Sequence, residues 1–225
     1  GVEVSMNYDI IQMEDATWSL GFNAAYKDNM VKDFDGLIQT GEINGNGLTG
    51  AYAQLLAGGQ PLFSYYLREF GGFDANGISL YPNGDVQEFV GKSALPKVTL
   101  GINTSVSYKN WDFSAFLSGQ YGFYVYNNTK NAYFTAGIIG VGKNITKDVL
   151  TNGESNANAA DVSTRFLEKG DFLRLQNASL SYNVPLSGQG ALKSLRLSMI
   201  GQNLFIITDY SGLDPEVNVP KSLNN

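Results

Sequence analysis

The chain has 225 residues, and only 16% of them are charged, against about 25% in an ordinary soluble protein. The 15 basic and 21 acidic side chains give a net charge of −6, which repels a phosphate backbone, so no nucleic acid partner is expected. Cysteine and histidine are absent, which removes thiol and imidazole catalysis and the usual zinc ligands. Aromatic residues make up 12% of the chain beside 26 glycines, a composition that predicts an all-β fold.

The sequence has no helical membrane span. No apolar run approaches the roughly 18 residues that a transmembrane helix needs. Any membrane role must therefore belong to strands that close into a barrel. The chain begins at Gly1 without an initiator methionine or a hydrophobic leader, and we interpret it as a fragment of a longer protein.

The first predicted element is a hairpin. Apolar side chains from Val2 to Ile10 occupy every second position, and polar ones stand between them. After a short polar break the alternation resumes, with Trp18 and Tyr26 at the two ends of one face. Strict period-two alternation is typical of a strand that presents two different faces. The sequence predicts a pair of antiparallel strands here.

Two further pairs follow along the chain. Residues 98–108 and 111–125 alternate over more positions than the five or six of an average globular strand, with Asn110 in the turn. Residues 48–57 and 62–72 form a weaker pair, separated by glycines and a proline that favour a turn.

The last pair is predicted at residues 172–184 and 194–208, with residues 185–193 between them. Its first strand changes apolar phase near Gln176, and an extra residue in one strand, a β-bulge, has this effect. A bulge is therefore expected at Gln176.

The predicted connections alternate between two lengths. The short turns are at residues 11–17, 58–61, 109–111 and 185–193, and the long polar connections are at residues 28–47, 73–97 and 127–165. This asymmetry is typical of an outer-membrane barrel, with tight periplasmic turns and extended external loops. The polar face, rich in Gly, Ser, Asn and Thr, favours part of a wide barrel over a small closed one. A soluble two-layer sandwich also alternates and remains an alternative.

Two long blocks near the end of the chain carry a family resemblance. Residues 172–185 read FLRLQNASLSYNVP, and residues 201–217 read GQNLFIITDYSGLDPEV. In this order and at this separation they resemble the last two conserved blocks of the SusC/RagA family of TonB-dependent outer-membrane transporters. The residues that carry the resemblance, for which structural roles are expected, are Phe172, Arg174, Asn177, Tyr182, Pro185, Gly201, Gln202, Asn203, Leu204, Phe205, Tyr210, Gly212, Asp214, Pro215 and Glu216.

The resemblance implies an antiparallel transmembrane β-barrel of 22 strands around an N-terminal plug. Residues 1–225 are then the C-terminal part of the barrel domain, with about eight strands, without the plug and N-terminal domains and without the final strand. The implied function is import of a glycan or peptide through the outer membrane of a Gram-negative, Bacteroidetes-like cell. This segment is expected to form barrel wall, in contact with outer-membrane lipid, and extracellular loops.

The partners implied by the resemblance are a SusD-like surface lipoprotein at the mouth and the TonB–ExbB–ExbD complex, which acts through the plug region. Two alternatives stay open. One is a passive outer-membrane pore or surface-binding barrel, and the other is a soluble β-rich binding domain.

No pattern in the sequence supports an enzyme, a cofactor or a metal. Residues 137–143 read GIIGVGK and fit the start of a phosphate-binding loop, but Asn144 replaces the required Ser or Thr, so a flexible external loop is expected. Residues 74–85 depart from a calcium loop at two essential positions. The paired carboxylates Asp33 and Asp35 have no neighbours that would separate their pKa values.

Three aromatic residues of the long connections are candidate contacts of a substrate or of a lid protein. They are Tyr81, Tyr133 and Phe134. Their rings are able to stack on sugar rings or on peptide side chains at the mouth of a barrel.

Overall fold

The computed structural model describes residues 1–45, 47–186 and 192–217. In these ranges the strands are β1 (Val2–Gln12), β2 (Ala16–Tyr26), β3 (Leu37–Glu42), β4 (Tyr52–Ala57), β5 (Ser64–Leu67), β6 (Glu88–Ser93), β7 (Val98–Tyr108), β8 (Trp111–Tyr121), β9 (Tyr124–Tyr126), β10 (Leu167–Lys169), β11 (Phe172–Asn183) and β12 (Arg196–Thr208). The helical segments are α1 (Asn128–Tyr133) and the 3-10 helices Ala136–Val141, Lys147–Leu150 and Thr164–Phe166. The predicted all-β, antiparallel fold is confirmed.

Six long strands form one antiparallel sheet in the order β1-β2-β7-β8-β11-β12. All three strongly alternating hairpins of the sequence are in it, each with its two strands as direct neighbours. The strands have 11 to 13 residues, about twice the length of an average globular strand. In the described part of the chain, β1 and β12 are the two edges of this sheet.

The connections of this sheet alternate in length. Residues 13–15 join β1 to β2, and Lys109 and Asn110 join β7 to β8, with Lys109 at a φ of 53°. Residues 27–97 join β2 to β7, and residues 122–171 join β8 to β11. Since neighbouring strands are antiparallel, the strand ends joined by short turns are at one end of the sheet, and the strand ends from which the long connections start are at the other.

The turn predicted at residues 58–61 is not one of the turns of this sheet, because it lies inside the connection of residues 27–97. The short connection predicted at residues 185–193 falls partly outside the described residues.

The bulge predicted at Gln176 is confirmed. The register of β11 shifts between Leu175 and Asn177 against both of its neighbours, β8 and β12. The side-chain nitrogen Nε2 of Gln176 donates a hydrogen bond of 2.7 Å to Oγ of Ser118 on β8. The extra residue explains why the apolar phase changes at this point of the sequence.

The strand predicted at residues 111–125 is too long. It ends at Tyr121, because Gly122 adopts a φ of +77° and its N–H donates a 2.7 Å hydrogen bond to Oδ1 of Asp171. Beyond this break β9 pairs with β10 in a small two-stranded sheet. A glycine with a left-handed φ therefore ends β8.

A second unit of the chain is formed by Asp28–Leu95, Phe123–Gly170 and the described residues from Tyr210 onward. It contains a four-stranded sheet in the order β3-β4-β5-β6, to which the weaker predicted pair at residues 48–57 and 62–72 belongs with shortened strands. The buried members of its core cluster are Ile43, Leu48, Ala53, Tyr65, Leu67, Ala132 and Val162.

β3 and β6 lie in segments that the sequence predicted as polar loops. Each has six residues, and each forms one edge of the four-stranded sheet among the described residues. Their conformation depends on pairing with β4 and β5 and not on a pattern of their own, so the loop prediction for residues 37–42 and 88–93 was wrong.

Candidate functional site

One face of the six-stranded sheet is apolar across all six strands. A register row near its middle consists of Met6, Phe22, Ile102, Leu117, Leu175 and Phe205. On the interior strands β8 and β11, Phe113 and Leu180 remain 39% and 38% exposed although both have neighbours on each side. A continuous exposed apolar face of this extent is suited to contact with lipid.

Aromatic side chains mark both ends of the apolar face. Tyr108, Trp111 and Tyr182 share one row at the end with the short turns, where the rings of Trp111 and Tyr182 are 4.6 Å apart. Tyr26 and Tyr121 share the row at the other end, both aligned with Val98. The 11 residues of β7 between these rows span about 33 Å, or about 25 Å of height at the usual tilt of barrel strands. That height matches the apolar band of an outer-membrane barrel.

The opposite face is lined with hydroxyl and amide groups. Serine pairs bridge neighbouring strands through Oγ–Oγ hydrogen bonds of 2.7 to 2.9 Å, and the pairs are Ser19–Ser105, Ser114–Ser179 and Ser181–Ser198. Asp112 accepts a 2.8 Å hydrogen bond from Ser107 and lies 3.0 Å from Nη1 of Arg196. This polar face is suited to line water or a protein plug in the lumen of a barrel.

The first half of the C-terminal signature forms a local irregularity of β12. Asn203 adopts a left-handed φ of 49°, which asparagine tolerates better than most residues. A Cβ on Gly201 would lie 2.6 Å from Cδ2 of Leu204, so the leucine folds over the space that the glycine leaves free. Phe205 then returns to the apolar face beside Leu175.

The second half of the signature forms a turn that is bound to Glu168 on β10. The carboxylate of Glu168 accepts hydrogen bonds from N–H and Oγ of Ser211, at 2.7 and 2.8 Å. Burial and then the negative charge of Glu168 raise the pKa of Tyr210. Gly212 lies under the Tyr210 ring, where a Cβ would collide with it, and Pro215 is fully buried.

The second unit contains a cleft of about 530 Å³. Most of its lining comes from two segments, the turn of residues 47–51 and a wall formed by Asn156 and residues 158–162. Its larger polar and aromatic side chains are Tyr52, Arg68, Gln87, Asn156, Asn158 and Asp161. The sequence analysis did not identify this cleft.

A buried ion pair holds one wall of the cleft. Glu154 has no side-chain exposure and binds Arg165 through two hydrogen bonds of 2.6 Å. Its oxygens also accept a 2.9 Å hydrogen bond from Nδ2 of Asn158 and a 3.1 Å bond from the N–H of Ala136. Burial opposes the ionisation of Glu154, but the hydrogen bonds from Arg165 and Asn158 outweigh it and hold its pKa below the ordinary value.

The three predicted loop aromatics are all in the second unit, but they have different surroundings. The hydroxyl of Tyr81 donates a 3.0 Å hydrogen bond to Oδ2 of Asp161, a cleft residue, and burial, followed by the Asp161 charge, raises its pKa. Tyr133 is 45% exposed, and Nζ of Lys143 lies 5.3 Å from its ring centre. Phe134 is partly exposed and ends α1.

The segments that resembled ligand loops have ordinary structures. Residues 137–143 lie mainly in a 3-10 helix and not in the predicted flexible loop, and Gly142 ends that helix at a φ of 73°. Oδ1 of Asp74 accepts the N–H groups of Asn76 and Ile78, each at 2.8 Å, as in a local turn. Among the described residues no group of three or more acidic, histidine or cysteine side chains is arranged to hold a metal ion.

No helix among the described residues is both long enough and apolar enough to cross a membrane.

Curated relatives cover nearly the whole chain, although no model of a known protein family matches it. TonB-dependent receptor P3 of Formosa agariphila is 29% identical over 256 residues, which cover 97% of this chain and 25% of that protein. TonB-dependent receptor SusC of Bacteroides thetaiotaomicron is 27% identical over 250 residues, 96% of this chain and 24% of that protein. The chain thus spans about a quarter of the length of these relatives.

Solved structures show the same fold. The RagAB peptide importer in its open-open state matches 95% of this chain and 25% of that chain, with a TM-score of 0.77 and 23% identity. Its closed-closed state matches 94% of this chain and 26% of that chain, with a TM-score of 0.74 and 21% identity. At this level of identity the likeness is one of fold.

Proposed function

We propose that this chain is a segment of a SusC-family TonB-dependent transporter of the bacterial outer membrane and that the intact protein imports a nutrient. The observation that carries the proposal is the two-faced sheet, with an apolar band about 25 Å high on one side and hydroxyl and amide groups on the other. The family and the location expected from the two C-terminal blocks are confirmed by the relatives.

The segment contributes barrel wall and external connections. We place residues 1–225 in the C-terminal part of the barrel domain, with the plug and the N-terminal region supplied by other parts of the protein. The two blocks at residues 172–185 and 201–217 support this placement, because they resemble the end of the family's chain. The open edges at β1 and β12 are where the remaining wall strands would pair.

The proposed partners follow from the family. A SusD-like surface lipoprotein would cover the external mouth, and TonB with ExbB and ExbD would act through the plug region. Outer-membrane lipid would contact the apolar face. A glycan or a peptide is the proposed substrate, and a solved relative is described as a peptide importer. A wall and loops, and not catalysis, are what this segment supplies.

Energised import is tested with the intact gene in its own bacterium. Cells with and without the gene are given a mixed pool of oligosaccharides and oligopeptides, and depletion of each compound from the medium is measured by mass spectrometry. Gene-dependent depletion that stops when a protonophore collapses the proton-motive force supports the proposal. Gene-dependent depletion that continues with the protonophore would instead indicate a passive pore, and no gene-dependent depletion would contradict import.

The three loop aromatics are proposed to contact substrate or lid protein. The structure supports this for Tyr133, which is exposed, and for Tyr81, which binds the cleft residue Asp161. Replacing Tyr81, Tyr133 and Phe134 together by alanine is expected to slow uptake without lowering the amount of protein in the membrane. Unchanged uptake by the triple variant would remove the basis of this proposal.

A further inference from the structure

Five Asn–Gly pairs occur in the sequence, and all of them lie in the segments that make up the second unit. They are at residues 44–45, 46–47, 76–77, 83–84 and 152–153. An asparagine followed by glycine is the sequence most prone to spontaneous deamidation, because glycine has no side chain to shield its nitrogen from the preceding side-chain carbonyl. The local structure then decides which of these pairs reacts.

At residues 152–153 the glycine nitrogen is accessible. Both residues are exposed, and nothing lies within 4 Å of the position that a Cβ on Gly153 would take. Within the described part of the chain, the N–H of Gly153 donates no hydrogen bond. Oδ1 of Asn152 accepts the N–H of Glu154 at 2.9 Å. This hydrogen bond closes a ring that includes the Gly153 nitrogen, and it polarises the carbonyl group that this nitrogen would attack.

At residues 76–77 the glycine nitrogen is occupied and enclosed. The N–H of Gly77 donates a 3.0 Å hydrogen bond to the carbonyl oxygen of Asp74. A Cβ on Gly77 would lie 2.5 Å from the carbonyl oxygen of Gly153 and from the nitrogen of Ser155, so there is no open space beside it. Attack by this nitrogen would break the hydrogen bond and disturb the packing.

Two other pairs are protected as well. The N–H of Gly84 donates a 3.0 Å hydrogen bond to the carbonyl oxygen of Tyr81. Nδ2 of Asn83 is held by two glutamate carboxylates, each at 2.6 Å. A Cβ on Gly45 would lie 2.9 Å from Cα of Ala132, so this glycine is packed on its open side. Among the pairs that lie wholly in the described residues, the one at residues 152–153 is therefore the most reactive.

We propose that Asn152 is a site of spontaneous deamidation. The Gly153 nitrogen loses its proton and attacks Cγ of Asn152, the Cγ–Nδ2 bond breaks, and Nδ2 leaves as ammonia. The succinimide ring that forms then takes up water, which opens one of its C–N bonds to give aspartate or isoaspartate. The net change is hydrolysis of the side-chain amide to a carboxylate, and nothing is oxidised or reduced. The inference does not depend on the import function.

The modification acts on the buried ion pair beside the cleft. Isoaspartate carries the main chain through Cγ, so it lengthens the backbone just before Glu154, and either product adds a negative charge there. The carboxylate of Glu154 holds Arg165 and Asn158, and Asn158 belongs to the wall of the cleft. A longer backbone displaces this carboxylate from its partners. The wall is therefore expected to loosen as the protein ages.

The first test compares three Asn–Gly pairs in one protein. The intact transporter is purified in detergent and kept at mildly alkaline pH, and mass spectrometry of its digests follows the exchange of NH₂ for OH at each asparagine. Asn152 is expected to react at least about tenfold faster than Asn76 and Asn83. In the denatured protein the three are expected to react at similar rates, since each is followed by glycine. Equal rates in the folded protein, or a faster reaction at Asn76 or Asn83, would overturn the inference.

The second test measures the effect on the wall. Asn152→Ser keeps an oxygen that accepts the N–H of Glu154 but has no amide to lose. Hydrogen exchange of the Ala136 N–H, which donates to Glu154, is measured before and after ageing. In the unchanged protein this exchange is expected to rise in proportion to the modified fraction, and in Asn152→Ser it is expected to stay constant. An equal rise in both proteins, or no rise after modification, would reject the effect on the wall.

Discussion

Arg165 and Glu154 form a bidentate ion pair in which both guanidinium Nη atoms donate hydrogen bonds of 2.6 Å to the two carboxylate oxygens. The Glu154 side chain has no solvent exposure, and that of Arg165 is 12% exposed. The guanidinium carbon also lies 4.9 Å from the ring centres of Phe73 and Phe166. Removing one partner of such a pair leaves the other charge buried without compensation, which is far more costly than losing both.

Replacing Glu154 by glutamine is expected to loosen the wall of the cleft. The neutral amide leaves the Arg165 charge uncompensated, and we expect the free energy of local opening to fall by about 3 kcal/mol. Amide hydrogen exchange in the intact protein measures this free energy. The reporter is the N–H of Ala136, which donates a hydrogen bond to Glu154. The exchange of β7 amides in the wall sheet is expected to stay unchanged.

The double variant Glu154→Gln with Arg165→Met serves as its control. Because both charges are then absent, its loss of protection is expected to be smaller than the sum of the losses of the two single variants. Additive losses would show that the two side chains act independently, against the geometry of the pair.

The same carboxylate predicts a pH dependence of the second unit. The pKa of Glu154 is held below its ordinary value of 4.5, so ionisation of this group contributes stability that is fully present above the unfolded pKa. This stability is lost as the pH falls through the folded pKa. Protection of the Ala136 amide, corrected for intrinsic exchange, is therefore expected to be constant from about pH 7 to pH 5 and to fall below about pH 4. In the Glu154→Gln variant, this loss of protection at low pH is expected to disappear. If it persists, a group other than Glu154 causes it.

Replacing Asn203 by glycine is expected to leave the stability of the barrel unchanged, whereas replacing it by a β-branched residue is expected to lower it. The left-handed φ of 49° is free of strain for glycine, whereas a valine there should cost about 1 to 2 kcal/mol. The unfolding midpoint in urea of the intact barrel is the measurement for both variants. A valine variant as stable as Asn203→Gly would mean that the residue does not hold this conformation in the membrane.

The assignment of the two faces predicts opposite responses at adjacent positions of β7. Ile102 lies in the middle row of the apolar face, and Asn103 points to the other face. Ile102→Lys is expected to cost about 2 to 4 kcal/mol and to reduce the amount of folded barrel in the membrane. Asn103→Lys is expected to cost much less. Equal losses in the two variants would contradict the lipid contact of the Ile102 face.

The sequence predicted the wall far better than it predicted the second unit. A strand with one lipid-facing side has apolar residues at every second position, so this alternation alone predicted the hairpins that contain Trp18 and Trp111. The break in the alternation at Gln176 predicted the bulge in β11. The hairpins gave the pairs β1-β2, β7-β8 and β11-β12, whereas the pairing of β2 with β7 and of β8 with β11 was not predicted.

The cleft depends instead on contacts between distant parts of the chain. Tyr81 was identified as a loop aromatic, but its partner Asp161 is 80 residues away, and no local pattern connects them. Arg68 is similarly positioned by a backbone hydrogen bond of 3.3 Å to Val162. Glu154 and Arg165 lie in a polar segment with no periodicity, so a buried pair was not expected there.

The long connections have a consequence for how such proteins diversify. The register between β2 and β7 is fixed by eleven consecutive residue pairs, from Ala16 with Tyr108 to Tyr26 with Val98. None of these pairs involves the intervening residues 27–97, and loop-closure entropy rises only slowly with length. The wall strands would therefore keep their alignment if this connection were exchanged together with residues 123–170, with which it shares the core of the second unit. Grafting of such connections between transporters would change what is captured without redesigning the barrel that carries it.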